Sequence, residues 1–443
     1  MNKKEEKERK PRSAQGDALR AKNWKEYTAT VEDIERFLSD HVLLRNNVVT
    51  GRTECRVLES DLFADWIAEG LPTDRWLPVS DRIVNTLWRG LSKTKKLNVR
   101  TQDIHQIIRS DFSPDYHPLR FYLEHLPPWN DDQPDYIMEL SLSVNVKGDA
   151  DEQILFYDYL KKWLVAMVAS WADDQVVNNV MLVLIGEQGA YKTTWFSHLL
   201  PPQLRDYFYT KANSGLVSKD DLLTLAQYGL MCWEELDSMQ LKELNKLKAA
   251  MTMPAINERA AYARHHENRP HLASFCGTGN NVQFLSDPTG TRRWLPFEVS
   301  SIESPLSTPF DYQGIYSQAY ALYRQGFRYW FDKPEIERLH RHNEQFTTPS
   351  MEQELIDQYF RKPADKEPAE FLPVSVALQI VGANITQKLS AVALGRAFVN
   401  MGYQFRKSNG IRGYLVVRRS PDEMRVRRQL VAGADGADGA DIF

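Results

Sequence analysis

The sequence predicts a mixed α/β protein in three parts: an N-terminal mostly helical region, a central α/β core and a C-terminal winged-helix-like module. The core is predicted from the stretch between Val180 and about Val299, where short continuous apolar runs alternate with helical segments. Such runs are typical of strands that are buried on both faces of a mostly parallel sheet. We therefore expect a sheet whose strands are connected by helices.

The C-terminal module is predicted from three helical segments that are followed by a β-like pair. These segments begin beyond about Met351, and the pair surrounds Asn409-Gly410, a dipeptide typical of tight hairpin turns. Three helices and a hairpin of this size are typical of a winged-helix-like fold. The predicted helices are Glu352–Tyr359, Val374–Val381 and Leu389–Met401, and the predicted strands are Tyr403–Arg406 and Gly413–Val417.

The N-terminal region has one β-like pair, near Val42–Leu44 and Arg56–Leu58, with a turn signal at Thr50-Gly51 between the two stretches. A helical stretch then runs to about Leu126 and ends at a proline-containing linker. The predicted boundaries are 1–28 for a disordered tail, 29–130 for the N-terminal domain, 131–345 for the core, 346–420 for the basic C-terminal module and 421–443 for a second disordered tail.

The composition is that of a soluble globular protein. Of the 443 residues, 42% are apolar and 26% are charged, and the net charge is −4. No apolar run approaches the roughly 18–20 residues of a membrane span, and the charged N-terminus lacks the apolar stretch of a signal peptide. Cys55, Cys232 and Cys276 are too few and too scattered for a disulfide framework or a zinc site. We expect a cytoplasmic protein without a membrane partner.

The segment between Val180 and Phe196 has the pattern of a phosphate-binding loop. An apolar strand leads into a glycine-containing loop, then Lys-Thr-Thr, then a helix. In a Walker A loop (P-loop), this order places backbone N–H groups and a helix N-terminus around phosphates. Lys192 is expected to reach the β- and γ-phosphates of ATP, and the Thr193 hydroxyl to bind Mg²⁺. The predicted nucleotide-binding residues are Gly186, Glu187, Gln188, Gly189, Ala190, Tyr191, Lys192, Thr193 and Thr194.

Tyr191 stands where a Walker A loop has its last glycine. Because a bulky residue is costly at positive φ, we expect a negative φ at this position. The ring is expected to point outward, toward the nucleotide or a neighbouring subunit.

A second apolar run, Tyr228–Trp233, ends in two adjacent carboxylates, which is typical of a Walker B strand. We expect Glu234 to hold the magnesium ion and Glu235 to polarise the attacking water, with Asp237 as the substitute.

A third apolar strand, Leu272–Cys276, leads into a polar tip. We favour Asn280 over Asn281 as the side chain that bonds the attacking water or the γ-phosphate. The turn that follows presents Arg292 and Arg293, whose position suits a γ-phosphate sensor or a finger that reaches into a neighbour's site.

Two basic segments are candidates for binding nucleic acid. One mixes bases with an aromatic residue between the Walker B strand and the third strand, which suits a hairpin that grips a phosphate backbone. The other is the arginine-rich end of the C-terminal module. The predicted residues are Arg259, Tyr262, Arg264, His265, Arg269, Arg418 and Arg419.

In this order, the motifs resemble the virulence-associated protein E family, a branch of the superfamily 3-type P-loop ATPases of phages and integrated mobile elements. The resemblance covers roughly Tyr116 to Val299, and Asp287-Pro-Thr-Gly-Thr-Arg-Arg-Trp is its most specific element. It implies an AAA+-like core that assembles into a ring, expected to be a hexamer, with ATP bound between subunits. The matching positions are Lys192, Thr193, Glu234 and Asn280 for the Walker A, Walker B and sensor motifs, Arg292 and Arg293 for the arginine motif, and Arg259–Arg269 for a DNA-gripping hairpin.

The resemblance implies an ATP-dependent DNA helicase or replication initiator of a phage or mobile genetic element. ATP and Mg²⁺ are the expected cofactors, and single- or double-stranded DNA is the expected partner. The first 115 residues lack a convincing paired-acid strand of a primase, so a separate protein is expected to supply priming. The alternative is an ATP-gated assembly switch that binds DNA with little or no unwinding. A metabolic P-loop kinase is disfavoured, because it leaves the arginine turn and the basic hairpin unexplained.

Overall fold

The computed structural model describes residues 28–94, 98–211, 219–258, 267–285, 291–383, 389–408 and 410–427. One compact unit contains the described residues up to Asn280 together with Arg292–Ile336, and a second contains those of Asn281–Thr291 and those from Glu337 onward. Apart from Thr28, the tail predicted at 1–28 lies outside the described residues, as do residues 428–443 of the second predicted tail. None of the described helices is long and apolar enough to cross a membrane.

The N-terminal region of the first unit combines helices with a four-stranded sheet in the order β3-β2-β1-β4. Strands β1 and β2 are antiparallel, and Gly51 adopts a φ of +66° in the turn between them. The sequence predicted only this pair, because β3 and β4 have two residues each and are too short to leave an alternating pattern. The elements are α1 (Val31–His41), β1 (Val42–Asn47), β2 (Arg52–Val57), α2 (Ala64–Ala68), β3 (Leu77–Pro78), α3 (Asp81–Thr94), α4 (Thr101–Ile108), β4 (Asp115–Tyr116) and α5 (Pro118–Glu124).

The rest of the first unit is built around a six-stranded sheet in the order β5-β12-β6-β11-β8-β7. Every neighbouring pair from β12 to β7 is parallel, and β5 is antiparallel to β12. All residues of β6, β8 and β11 are buried, as expected of strands that are covered on both faces. The mixed α/β class that the sequence predicted is therefore confirmed. The elements are α6 (Tyr136–Leu142), β5 (Val144–Val146), α7 (Ala150–Ala172), β6 (Met181–Ile185), α8 (Lys192–Leu199), β7 (Phe208–Lys211), α9 (Lys219–Thr224), β8 (Leu230–Trp233), α10 (Leu241–Met251), β9 (Ala255–Glu258), β10 (Glu267–Pro270), β11 (Ser274–Gly279), β12 (Trp294–Ile302) and α11 (Tyr312–Arg324).

The long helix α7 anchors the sheet from one side. Its indole groups bond to main-chain oxygens of the sheet region: Trp163 donates to the Phe275 oxygen at 2.9 Å and Trp171 donates to the Gly229 oxygen at 3.1 Å. Both rings are fully buried, so each contributes a large apolar area as well as a satisfied donor. The helix is thereby attached to β11 and to the start of β8.

In the second unit, β16 is the central strand and pairs antiparallel with β13, β14 and β15. Tyr414 of β16 ties this sheet to α15: its ring stacks on Phe398 at 4.8 Å, and its hydroxyl donates to the Gly395 oxygen at 2.9 Å. The chain enters this unit through α12. The elements are α12 (Lys333–Asn343), α13 (Met351–Tyr359), β13 (Phe360–Arg361), β14 (Glu370–Pro373), α14 (Val374–Gly382), α15 (Ala391–Asn400), β15 (Phe405–Ser408) and β16 (Ile411–Arg418).

Residues 421–427 are helical, although the sequence analysis placed the start of a disordered tail at residue 421. The cause is a capping box: the Glu423 N–H donates to Ser420 Oγ at 3.2 Å, and the Ser420 N–H donates to the Glu423 carboxylate at 2.7 Å. Arg427 also bonds to Asp357 at 2.8 Å, which attaches the helix to the rest of the unit.

Candidate functional site

A concave site of about 390 Å³ lies where β6, β8 and β11 end. The carboxyl ends of parallel strands meet at one edge of a sheet, and ligands of open α/β sheets bind outside that edge. The structure brings together there three segments that are far apart in the sequence. The lining residues are Gln188, Gly189, Ala190, Tyr191, Lys192, Thr193, Thr194, Glu234, Glu235, Thr278, Gly279 and Asn280.

Lys192 is the first residue of α8, and its side chain is buried at 7% exposure. Its ammonium donates to the main-chain oxygens of Gly186 and Glu187, at 2.7 Å each, and to Asn280 Oδ1 at 3.3 Å. Burial lowers the pKa of this amine, and the carboxylate of Asp237 partly offsets the effect. A cation is therefore held at a helix N-terminus, where the helix dipole and free N–H groups also favour an anion.

The next residue, Thr193, connects the loop to the neighbouring strand segment. Its hydroxyl donates to Glu234 Oε1 at 2.8 Å. On the same edge, the Asn280 N–H donates to Asp237 Oδ1 at 3.3 Å. Glu235 is exposed and lines the cavity, while Glu234 is half-buried. The two adjacent acids therefore differ in setting: one is bonded to the loop and the other is open to a ligand.

Tyr191 adopts the left-handed conformation, with φ 58° and ψ 14°. The expectation of a negative φ is therefore wrong. The loop must turn into α8 at this residue, whose carbonyl accepts the first helical hydrogen bond from Trp195 at 2.7 Å, and the turn imposes the conformation for which glycine is usual. The ring points outward and is 46% exposed.

Backbone strain is concentrated at this site. Among the described residues, three that are not glycine have a positive φ: Tyr191, Glu235 and Lys366. The first two line the same cavity. Such residues persist where the surrounding structure holds them, and they cluster at ligand-binding sites.

Arg292 and Arg293 do not line the cavity. They directly precede β12 in a short 3₁₀ turn, where Arg292 is exposed and Arg293 is half-buried. Burial lowers the pKa of Arg293, and the neighbouring Arg292 adds to this effect.

The predicted nucleic-acid residues have different outcomes. Arg259, Tyr262, Arg264 and His265 lie outside the described residues. Arg269 is on β10, which pairs antiparallel with β9, so the flanking strands of a hairpin are present. Arg418 and Arg419 of the second unit do not offer free charges, because Arg418 pairs with Glu370 at 2.7 Å and Arg419 with Asp357 at 3.4 Å. These pairs are not predictable from the sequence, because the acids are on other elements.

Thr278 and Gly279 were not among the predicted site residues, although both line the cavity. Their position in the sequence indicates this role, because they directly precede Asn280 at the end of a buried strand. A side chain on Gly279 would come within 3.1 Å of the Asp237 carboxylate, so a glycine allows the close approach of these two segments.

Comparisons with known proteins identify the domain. Residues 137–348 match the family model of the Virulence-associated protein E-like domain. Similar solved structures include "The A form apo structure of NrS-1 C terminal region-CTR" and "The apo structure of NrS-1 C terminal region (305-718)". Each is 13% identical with a TM-score of 0.44, and the alignments cover 87% of this chain and 99% and 98% of those chains. No curated protein matches the chain. Residues 137–348 are therefore similar to the virulence-associated protein E-like domain.

Proposed function

We propose that the protein is an ATP-dependent DNA helicase or replication initiator of a phage or mobile genetic element. The observation that carries the proposal is the bond between the Thr193 hydroxyl and the Glu234 carboxylate, beside the buried ammonium of Lys192. P-loop enzymes bind a nucleoside triphosphate and Mg²⁺ with the same groups: a hydroxyl, a carboxylate and a lysine at a helix N-terminus.

The phosphates of ATP would bind in the loop from Gly186 to Tyr191. Lys192 now donates to two loop carbonyls, and phosphate oxygens would replace these acceptors without moving the amine far. The N–H groups at the start of α8 would supply further donors.

Thr193 and Glu234 would hold Mg²⁺. Their oxygens fit this ion, which is usually bound through one or two protein oxygens together with waters and substrate phosphates. The ion would neutralise charge on the phosphates. Glu235, exposed in the same cavity, would orient the attacking water, and Asn280 would bond the water or the γ-phosphate.

Arg292 and Arg293 fit a role in a neighbouring subunit's site. They lie outside the cavity lining of their own chain, as expected of a finger that acts in trans. The proposal therefore includes a homo-oligomeric AAA+-like ring, expected to be a hexamer, in which ATP is bound between subunits. A separate primase would supply primers.

DNA would be bound by two parts of the chain: the β9–β10 hairpin with Arg269, and the second unit. From α13 onward the second unit has the order helix, two short strands, two helices and hairpin, which supports a winged-helix-like module. The alternative function is an ATP-gated assembly switch with little or no unwinding. The strained Tyr191 favours it, since a tyrosine in place of a loop glycine can slow turnover while ATP still binds.

The test is ATP hydrolysis by the purified protein with and without single-stranded DNA. Lys192→Ala removes the loop cation, and Lys333→Ala is the matched control because Lys333 is exposed outside the cavity. We expect DNA-stimulated hydrolysis that Lys192→Ala abolishes and Lys333→Ala retains. Tight ATP binding without hydrolysis would favour the switch. Undiminished hydrolysis by Lys192→Ala would place the active site elsewhere and refute the proposal.

A further inference from the structure

Positive charge in the second unit is concentrated in one continuous stretch of sequence. Residues 371–421 contain seven lysine and arginine residues and no aspartate or glutamate. A segment without acids has no local means of neutralising its bases, so each base must be paired with a more distant acid or remain available to a ligand. The seven are Lys388, Arg396, Arg406, Lys407, Arg412, Arg418 and Arg419.

Acids outside the stretch neutralise two of these bases. Arg418 forms a bidentate pair with Glu370, with nitrogen–oxygen distances of 2.8 and 2.7 Å. Arg419 donates to the main-chain oxygen of Asp357 at 2.8 Å and approaches its carboxylate at 3.4 Å. Paired in this way, the guanidinium groups hold the unit together and contribute little net charge to its surface.

Four of the remaining bases are exposed and form no ion pair with any described carboxylate: Arg396, Arg406, Lys407 and Arg412. Lys407 and Arg412 lie directly opposite each other in the β15–β16 hairpin. Like charges at such positions destabilise a hairpin, and a bound phosphate group would remove the repulsion.

One of these bases, Arg396, lies on an exposed face of α15. Val392, Arg396 and Val399 follow a helical spacing and share one face, and the two valines are 66% and 59% exposed. The hairpin contacts this helix: the Tyr414 hydroxyl donates to the Gly395 oxygen, and Tyr414 lies on the same face of β16 as Arg412, because alternate residues of a strand share a face.

We propose that the exposed face of α15 and the tip of the β15–β16 hairpin form a binding surface for double-stranded DNA. The helix would enter the major groove, with Val392 and Val399 against apolar base edges, and the hairpin bases would bind backbone phosphates. Apart from the terminal Asn400, the exposed side chains of the helix are aliphatic or cationic, which suits groove contact better than the stacking of unpaired bases. The surface rests on the proposed function for its role in replication, and within the predicted arginine-rich end it uses other bases than Arg418 and Arg419.

The test is binding of a labelled DNA duplex to the full chain, measured by fluorescence anisotropy over a range of KCl concentrations. The triple variant Arg396→Ala/Lys407→Ala/Arg412→Ala removes three cations that share this surface, and it should reduce the slope of log K against log [salt] by about 2.7 if each binds a phosphate. Wild type should therefore lose about 40-fold more affinity than the variant between about 50 and about 200 mM KCl. An unchanged slope would overturn the proposal.

The matched control removes the same charge from exposed sites of the first unit: Arg36→Ala/Arg89→Ala/Lys93→Ala. An equal loss of binding in this control would show a general charge effect and overturn the assignment. Val399→Asp tests the helix without removing a cation, and it should weaken binding of the duplex because it places a carboxylate against the DNA.

An equal loss of affinity for single-stranded DNA, or for vesicles of anionic lipid, in the triple variant would also overturn the duplex assignment. ATP hydrolysis with single-stranded DNA is measured on the same preparations. Its absence in the wild type refutes the proposed motor function, whereas the duplex result depends only on the anisotropy series.

Discussion

The left-handed conformation of Tyr191 can be tested by comparing two substitutions, Tyr191→Gly and Tyr191→Ala. Both remove the 46%-exposed ring, so they differ only in the backbone preference at this position. At an ordinary site, glycine is less stable than alanine by about 0.5–1 kcal/mol, because it loses more conformational freedom on folding. A left-handed conformation costs alanine about 1–2 kcal/mol and costs glycine nothing. The sign is therefore expected to reverse here, with glycine more stable by about 0.5–1 kcal/mol.

The assay is urea denaturation followed by tryptophan fluorescence. Trp195, four residues beyond Tyr191 on α8 and fully buried, is one of the eleven tryptophans that contribute to this signal. ATP affinity is measured on the same proteins. Because the loop already has its turn in the wild type, Tyr191→Gly should change ATP affinity by less than about tenfold, or about 1.4 kcal/mol. An alanine variant as stable as the glycine variant would refute the assigned conformation, and a much larger gain in affinity would show that the loop is not preformed.

Three further outcomes are expected. Glu235→Gln should bind ATP but not hydrolyse it, because the amide cannot polarise water. Filter binding measures the ATP affinity and phosphate release measures the turnover. Rapid turnover would contradict the roles assigned to Glu234 and Glu235. Mixing Arg293→Ala subunits with Lys192→Ala subunits should restore hydrolysis through composite sites, and no recovery at any ratio would exclude a finger in trans. Burial lowers the pKa of His117 from 6.5 to about 4. The folded state therefore favours the neutral ring, and stability present above pH 6.5 is lost as the pH falls toward 4, by up to about 3 kcal/mol. His117→Asn, which can still cap α5, should flatten this dependence in urea denaturation between those values; an unchanged slope would contradict the assignment to His117.

The buried strands of the central sheet could be predicted from the sequence, because a strand that is buried on both faces consists of a continuous run of apolar residues. Strands β6, β8 and β11 are examples, and the last two are followed directly by Glu234 and Asn280, polar residues that line the cavity. The short strands β3, β4 and β5 could not be predicted, because two or three residues hold no recognisable period.

Features that depend on distant residues or on backbone angles could not be read from the sequence. Arg418 belongs to a basic run, yet Glu370, the acid that neutralises it, is 48 positions away on another strand. The positive φ of Tyr191 is set by the loop and not by the residue type.

The helix at 421–427 was predictable, since Ser420 and Glu423 have the spacing of a capping box and Pro421 suits the first helical position.

The hydrogen bonds around Lys192 connect the ends of all three site strands, and Asp237 is the carboxylate that supports the buried amine. Lys192 bonds to Asn280, and Asn280 in turn bonds to Asp237, so one chain of contacts joins the phosphate loop to the segments after β8 and β11. Because burial lowers the pKa of Lys192 and Asp237 raises it, removal of this negative charge should lower that pKa further.

Asp237→Asn is nearly isosteric and keeps an oxygen that can accept from Asn280, so it removes charge with little change in packing. The alkaline limit of ATP binding, measured by titration calorimetry across a pH series, should therefore move to lower pH, because phosphate binding needs the protonated amine. Asp131→Asn, at an exposed position outside the cavity, is the control for the loss of one carboxylate and should leave the limit in place. An alkaline limit that is the same in Asp237→Asn as in the wild type would mean that Lys192 does not depend on Asp237 for its charge.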